Sequence, residues 1–292
     1  MIKRALGLAV CLLATQAFAQ DLAESFDATE VVPGIYMLVG SDGKFGGGNI
    51  SLLIGEEQVV LIDDAMVPTA QPILDAVRKQ AGRGPDFVIN THVHGDHVGG
   101  NSLLQDDGSY VVAHDNIRKR LLAKSEDAGG DGGLPIITFS DSVTFHVNGH
   151  EAYVFHVHHA HTDGDGVIHF RDDNVIHAGD IMFHKLFPYI DLDNGGSVDG
   201  FIAAQQKLIE MADEETVIIP GHGALASKAD LAEDLAVLID SRKRVKALVD
   251  AGKSEEEILA EKPLADYHDQ YNWSFITTEK MTSTLYRALT SG

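Results

Sequence analysis

The segment Thr91–Gly100 (THVHGDHVGG) is the feature that most constrains the fold of this chain. Within six positions it carries three histidines and an aspartate, namely His92, His94, Asp96 and His97. It directly follows residues 87–90, an apolar stretch that predicts a short buried strand. The first two histidines are two residues apart and project to one side of an extended chain, whereas the glycine after them permits a turn. The spacing therefore predicts two adjacent metal positions at the end of a buried strand.

Three later segments each place another candidate metal ligand directly after an apolar strand. These candidates are His161 in HTDG, Asp180 in GD and His222 in PGHG. A rigid sheet can hold such side chains while the following loop leaves them accessible. His159 is an alternative to His161, because it lies only two residues earlier. His177 lies inside a predicted strand, and we expect it to support the site from behind at most.

Apolar runs and turn residues along the whole chain predict the α/β class. The predicted strands are residues 31–39, 50–54, 59–62, 87–90, 110–113, 136–139, 143–147, 153–158, 167–171, 175–178 and 216–219. The predicted helices are residues 69–81, 98–104, 116–124, 197–211 and most of the chain from residue 229, with breaks near Gly252, Pro263 and Asn272. Residues 126–134 predict a loop rich in glycine and aspartate. No linker or short repeat divides the chain, so residues 20–292 are predicted to form a single domain with a helical C-terminal tail.

The first 19 residues predict a secretory signal peptide. A basic start ending at Arg4 precedes an apolar run too short to span a bilayer, and residues 17–19 (AFA) form a small-x-small cleavage site. We expect cleavage before Gln20, export across the inner membrane to the periplasm, and no membrane span afterwards. Cleavage removes Cys11, the only cysteine, so the mature chain can use only histidine and carboxylate ligands for a metal.

The charge of the chain argues against a nucleic-acid partner. There are 22 Lys and Arg residues against 44 Asp and Glu residues, a formal net charge of −22. Phosphate backbones are bound by basic surfaces, so a small-molecule substrate is the expected partner. The oligomeric state stays open.

Together these motifs resemble the metallo-β-lactamase superfamily, and the resemblance covers residues 31–222. It implies an αββα sandwich, with two mixed sheets flanked by helices and the metals at one edge. It also implies roles for particular residues: His92, His94 and His161 would bind the first metal, Asp96, His97 and His222 the second, and Asp180 would bridge the two. Asp63, at the end of LIDD, matches an early aspartate that usually supports the ligands from behind.

The resemblance further implies a zinc-dependent hydrolase with two Zn²⁺ per chain, iron or manganese being the alternative metals. A metal-bound hydroxide, oriented by Asp96, would attack an amide or ester carbonyl. β-Lactam hydrolysis is the favoured activity, and the alternatives are lactonase, arylesterase or thioesterase activity. The best-known zinc β-lactamases carry a cysteine where this chain has Asp180. An iron-dependent dioxygenase of the same fold is a hypothesis from a different class.

Three residues are candidate substrate contacts. Lys185 and His184 follow Asp180 closely, and Lys185 could attract a substrate carboxylate or simply be solvated. Phe45 lies at the centre of the glycine-rich segment 43–48, which predicts either a mobile flap over the substrate or a plain hairpin turn.

Overall fold

The computed structural model describes residues 21–128 and 133–291. The predicted signal peptide, residues 1–19, lies outside the described residues. The same holds for residues 129–132, in the predicted glycine-rich loop.

The first sheet contains seven strands that are adjacent in chain order. They are β1 (Phe26–Val32), β2 (Ile35–Gly40), β3 (Ile50–Ile54), β4 (Val59–Ile62), β5 (Phe87–Asn90), β6 (Tyr110–His114) and β7 (Ile137–Phe139). The pairs from β1 to β4 are antiparallel, and those from β4 to β7 are parallel. Parallel neighbours require crossover connections, which are helical here. They contain α1 (Ala70–Ala81), α2 (Gly95–Val98), α3 (Asn101–Asp106) and α4 (Asp115–Ala128).

The second sheet contains six strands, of which one pair is parallel. The strands are β8 (Ser142–Val147), β9 (His150–His156), β10 (Gly166–Phe170), β11 (Val175–Phe183), β12 (Val217–His222) and β13 (Ala226–Ser227). The crossover between the parallel strands β11 and β12 contains α5 (Val198–Met211). Four helices follow: α6 (Lys228–Asp250), α7 (Glu255–Glu261), α8 (His268–Tyr271) and α9 (Thr278–Thr290).

The two sheets pack face to face, and helices cover both outer faces. Ile62 and Ile89 of the first sheet share one buried cluster with Val154 and Ile168 of the second. Helix α1 packs on the outer face of the first sheet, and α5, α6 and α9 pack on that of the second. This arrangement of two mixed sheets flanked by helices confirms the predicted αββα sandwich. None of the described helices is long and apolar enough to cross a bilayer.

The N-terminal strands differ from the prediction. Residues 31–39 were expected to form one strand, but a turn at Pro33 and Gly34 separates β1 from β2. Proline has no backbone N–H to donate to a strand ladder, and Gly34 adopts a φ of +85°, a conformation that residues with a Cβ rarely adopt. The apolar run therefore folds back on itself as a hairpin.

Strands β11 and β12 extend further than their apolar runs predicted. The glycine of Gly179-Asp180 and the proline of PGHG suggested strand ends, yet β11 continues to Phe183 and β12 to His222. Their register shifts on both sides of Gly179, which has a φ of +52°. These irregularities keep Asp180 inside a buried strand instead of on a loop.

The helix boundaries differ by a few residues. The predicted helix 98–104 is two short helices, α2 and α3, and α4 extends to Ala128, so the predicted loop at 126–134 begins later. Helix α5 begins after Ser197, whose side chain accepts a hydrogen bond from the amide of Gly200 at 2.9 Å. The breaks expected in the C-terminal tail near residues 252, 263 and 272 are confirmed.

Candidate metal centre

Seven side chains converge at one edge of the sandwich in two groups that could each hold a metal ion. The first group is His92, His94, His161 and Asp180, and the second is Asp96, His97 and His222. Within each group the candidate ligand atoms lie within 4.8 Å of one another. The sequence segments that were expected to supply ligands therefore do meet in space.

The local structure of the first motif explains how neighbouring residues serve different groups. His92 and His94 lie in the bent segment between β5 and α2. Helix α2 begins at Gly95, so Asp96 and His97 turn away from the preceding residues. The amides of His97 and Val98 donate to the carbonyl of His94, which closes this turn.

Asp180 lies between the two groups and presents one oxygen to each. Its Oδ1 is 3.3 Å from His97 Nε2 and 3.5 Å from His222 Nε2. Its Oδ2 is 3.3 Å from His161 Nε2 and 3.7 Å from His92 Nε2. Two ligands of a tetrahedral zinc ion are separated by about 3.4 Å, given metal–ligand bonds of about 2.0–2.1 Å. The spacing therefore fits a bridging carboxylate.

Several buried nitrogen and oxygen atoms at this centre have no hydrogen-bond partner among the described residues 21–128 and 133–291. They are His92 Nε2, His97 Nε2 and Asp180 Oδ1. Buried polar atoms are normally paired, and an unmet one is costly. His94 Nδ1 faces His161 Nε2 at 2.8 Å. The other nitrogen of each ring carries the N–H, which is donated to Asp191 by His94 and to the carbonyl of Tyr189 by His161, so neither facing nitrogen has a proton. Two lone pairs at that distance repel, so the centre fits a cation between them.

The histidine rings of the first group are oriented by oxygens behind the centre. His161 Nδ1 donates to the carbonyl of Tyr189 at 2.7 Å. His94 Nε2 donates to Asp191 Oδ2 at 2.8 Å. In metal sites such contacts select the tautomer whose other nitrogen can bind the ion. Sequence reasoning missed Asp191; its only local signal is that it caps the turn 192–194, which does not reveal His94 as a partner.

Asp63 performs the same task for the second group. Its Oδ2 accepts hydrogen bonds from His97 Nδ1 and from the hydroxyl of Thr91, both at 2.7 Å, and its Oδ1 accepts the amide of Thr91. Its carboxylate is fully buried behind the ligands, as the resemblance implied. His177 lies next to it, with Nε2 3.7 Å from Asp63 Oδ2 and Nδ1 2.6 Å from Ser51 Oγ.

Burial and charge set the protonation of the two groups. Burial lowers the pKa of His161 to about 4, so this ring is neutral at pH 7, the form that binds metals. Burial would raise the pKa of Asp180, but the charges of His222, His97 and His92 hold it well below its usual value. Burial would lower the pKa of His222, but Asp180 and Asp96 raise it to about 9. His222 is therefore protonated at pH 7, and its positive charge compensates Asp180 and Asp96 as that of a bound cation would.

Two glycines allow the backbone to approach the ligands closely. A Cβ on Gly221 would lie 2.0 Å from Asp180 Oδ1, and one on Gly48 would lie 2.3 Å from the ring of His97. Gly48 precedes Asn49, whose amide donates to the carbonyl of Gly221 at 2.7 Å. The glycine-rich segment therefore packs directly on the centre.

A cavity of about 560 Å³ opens on the ligands and has a largely aromatic lining. Its floor consists of His94, Gly95, Asp96, Asp180 and His222. Its walls are Phe45, Met66, Val67, Pro68, Phe183, Tyr189, Trp273 and Phe275. Val67 is 75% exposed and Phe275 47%, so apolar side chains also form the mouth. The C-terminal wall residues were not predicted, because nothing in their sequence links them to the histidines.

Of the three predicted substrate contacts, the structure brings only Phe45 to the cavity. It belongs to the hairpin connection between β2 and β3, where the amide of Ala23 donates to its carbonyl at 3.0 Å. Lys185 instead faces Asp230 Oδ1 at 3.9 Å. His184 Nε2 also faces Asp230, at 3.6 Å. Neither side chain is among the described residues that line the cavity, and their expected substrate role stays a prediction.

The choice between His159 and His161 is also decided by position. His161 is fully buried in the first ligand group. His159 is exposed, and its Nδ1 donates to the carbonyl of Gly195 at 2.9 Å, away from the ligands.

Comparisons with known proteins identify the family of the chain. A family model described as the Metallo-beta-lactamase superfamily matches residues 43–222, more than half of the chain. Over 130 residues the chain is 32% identical to a hydroxyacylglutathione hydrolase of Methylococcus capsulatus, a match that covers 44% of each protein. It is 24% identical over 209 residues to an acyl-coenzyme A thioesterase of Homo sapiens, covering 60% of this chain and 72% of that one. The match thus spans less than half the length of the first relative.

Solved structures show the same fold. A metallo-beta-lactamase from Pontibacter korlensis superposes with a TM-score of 0.62 at 19% identity, covering 74% of this chain and 100% of that one. The DIM-1 metallo-beta-lactamase gives a TM-score of 0.59 at 17% identity, covering 74% of this chain and 97% of that one. By its family match, the chain belongs to the metallo-β-lactamase superfamily of metal-dependent hydrolases.

Proposed function

We propose that this protein hydrolyses esters or thioesters whose acyl group is apolar. The observation that carries the proposal is the aromatic cavity, whose floor is the ligand cluster itself. Ligand pockets with apolar walls and a few convergent polar groups bind the apolar part of a substrate and orient its reacting atom. An acyl chain between the walls would place its carbonyl at Asp180 and His222.

The cluster is proposed to hold two zinc ions, one in each ligand group. Such ions would lower the pKa of water and stabilise the negative charge that develops on the carbonyl oxygen. Nitrogen and carboxylate ligands without sulfur also suit iron or manganese, which metal analysis distinguishes.

Asp96 is the residue proposed to handle the proton. Burial would raise its pKa, but His97 and His222 hold it well below the usual value, so the carboxylate is ionised at neutral pH. Its Oδ2 lies 3.5 Å from Nε2 of both His97 and His222, and the residue also lines the cavity floor. An ionised carboxylate in this position can accept a hydrogen bond from the attacking water and orient it.

The cavity favours an apolar acyl group over the β-lactam that the sequence suggested. β-Lactam antibiotics carry a carboxylate beside the reacting amide, but no lysine or arginine is among the described residues that line the cavity. Lys185, the expected partner of that carboxylate, faces Asp230 instead. The names of the two relatives, a hydroxyacylglutathione hydrolase and an acyl-coenzyme A thioesterase, also support a thioester or ester substrate.

The proposal is tested by comparing substrates with the zinc-loaded chain, residues 20–292. We expect para-nitrophenyl hexanoate and the hexanoyl thioester of N-acetylcysteamine to be hydrolysed at least about 100-fold more efficiently than a chromogenic cephalosporin. Asp180→Ala should abolish all turnover. A cephalosporin kcat/KM above about 10⁴ M⁻¹s⁻¹ that exceeds the ester value would instead establish a β-lactamase. Oxygen uptake by an iron-loaded sample would support the dioxygenase hypothesis.

We also propose that the enzyme acts in the periplasm, on the strength of the signal-peptide pattern in residues 1–19.

A further inference from the structure

A single lysine lies against the outer part of the aromatic wall. Lys280 is in the first turn of α9, and its Nζ is 4.1 Å from the ring centre of Phe275 and 5.6 Å from that of Tyr189. Both rings line the cavity. Its Nζ also donates a hydrogen bond to the carbonyl of Phe275 at 3.1 Å, which holds the ammonium beside these two rings, although Lys280 itself is not among the described residues that line the cavity.

This ammonium has no acidic partner in the described part of the chain. The polar and ring contacts of its Nζ there are the two rings and the carbonyl of Phe275, and burial lowers its pKa. The chain carries twice as many acidic residues as basic ones, and four of the described lysines face carboxylates, namely Lys44, Lys185, Lys246 and Lys253. An ammonium has three N–H donors, so Lys280 keeps two that no described residue uses.

We propose that Lys280 binds an anionic group of the substrate at the cavity rim. This inference rests on the proposed function and extends it. The preferred substrate would carry an apolar acyl group between the aromatic walls and a carboxylate, sulfonate or phosphate at the end remote from the scissile carbonyl. The rings that flank the ammonium exclude water on one side and thereby strengthen its attraction for an anion.

Binding can be measured without catalysis, because Trp273 is the only tryptophan of the chain and lines the cavity. The probes are 5-phenylpentanesulfonate and the uncharged 5-phenylpentan-1-ol, titrated against tryptophan fluorescence in 0.15 M salt. We expect the wild type to bind the sulfonate about 3-fold to 10-fold more tightly than the alcohol, the range of a partly exposed charge pair.

Two variants of Lys280 test whether this residue causes the preference for the sulfonate over the alcohol. Lys280→Met keeps an apolar stem over Phe275 and should reverse the preference, because the net charge of −22 then repels the anion without local compensation. Lys280→Arg should restore it. Lys185→Met, which removes an equal charge outside the cavity, is the matched control and should leave it unchanged. An unchanged sulfonate-to-alcohol ratio in Lys280→Met would overturn the inference.

The kinetic counterpart uses para-nitrophenyl esters of an eight-carbon diacid, with the far carboxylate either free or methylated. Lys280→Met should raise KM for the free acid about 3-fold to 10-fold and leave kcat and the methylated ester nearly unchanged. If the wild type hydrolyses both esters and Lys280→Met does not change KM for the free acid, the role of Lys280 is refuted but the proposed function is not. Failure of the wild type to hydrolyse either ester would refute the proposed function, while the fluorescence titration would still decide the role of Lys280.

Discussion

Gly48→Ala is a substitution whose effect on the candidate metal centre can be calculated from the geometry. A Cβ at this position would lie 2.3 Å from Cε1 and 2.6 Å from Nε2 of His97, against an ordinary contact of at least 3.4 Å. The ring would have to move by about 1 Å. It is fully buried and held by the 2.7 Å hydrogen bond to Asp63, so it has little room to do so.

The displacement should affect one ligand group and spare the other. Inserting a methyl group into a packed interior costs about 1–3 kcal/mol of unfolding free energy. Misorientation of a ligand typically lowers metal affinity by about 10-fold to 100-fold. His97 belongs to the second group, whereas the ligands of the first group are His92, His94, His161 and Asp180. We therefore expect Gly48→Ala to retain one tightly bound zinc and to lose most of the second.

The assay is metal content after dialysis against a zinc buffer, combined with urea unfolding of the same samples. Gly95→Ala is the matched control, because a Cβ there would meet nothing within 4 Å. It should bind the same amount of metal as the wild type. Equal zinc content in Gly48→Ala and Gly95→Ala, or loss of both ions in Gly48→Ala, would refute the geometric argument.

Three further predictions concern other parts of the chain. Asp191→Asn keeps an oxygen for the cap of residues 192–194 but removes the charge that faces His94 at 2.8 Å. A zinc-competition titration should therefore show about 10-fold weaker zinc binding in the first group. Unchanged zinc affinity there would contradict the role of Asp191. Burial raises the pKa of Asp234 from 3.8 to about 6, so the folded state binds more protons between these values and loses stability as pH rises through 6. The free energy of unfolding of Asp234→Asn, relative to that of the wild type, should therefore be up to about 3 kcal/mol higher at pH 8 than at pH 4. Equal pH profiles of urea unfolding for variant and wild type would contradict this. N-terminal sequencing of the exported protein should begin at Gln20, whereas retention of residues 1–19 would exclude the signal peptide.

The residues of the candidate metal centre could be named from the sequence because their signal is local. The histidines and aspartates follow apolar runs of the sequence, and the alternation of side chains along a strand determines which side of the sheet such residues occupy. The sandwich could be predicted for the same reason, since periodicity and turn residues report strands and helices one at a time. The hairpin at Pro33 and Gly34 was missed because two antiparallel strands that share a buried face produce one continuous apolar run.

The remaining features depend on contacts between residues far apart in the chain. Asp191 meets His94 across 97 positions, and the cavity wall combines Phe45 with Trp273. Lys185 and His184 follow a ligand closely in sequence, yet the backbone leaves β11 with Lys185 at a φ of +57° and turns both side chains toward Asp230. Sequence thus determined which groups can bind a metal and which strands present them. The tertiary structure alone decided what orients those groups and which side chains line the cavity above them, because these contacts form only when separate segments pack together.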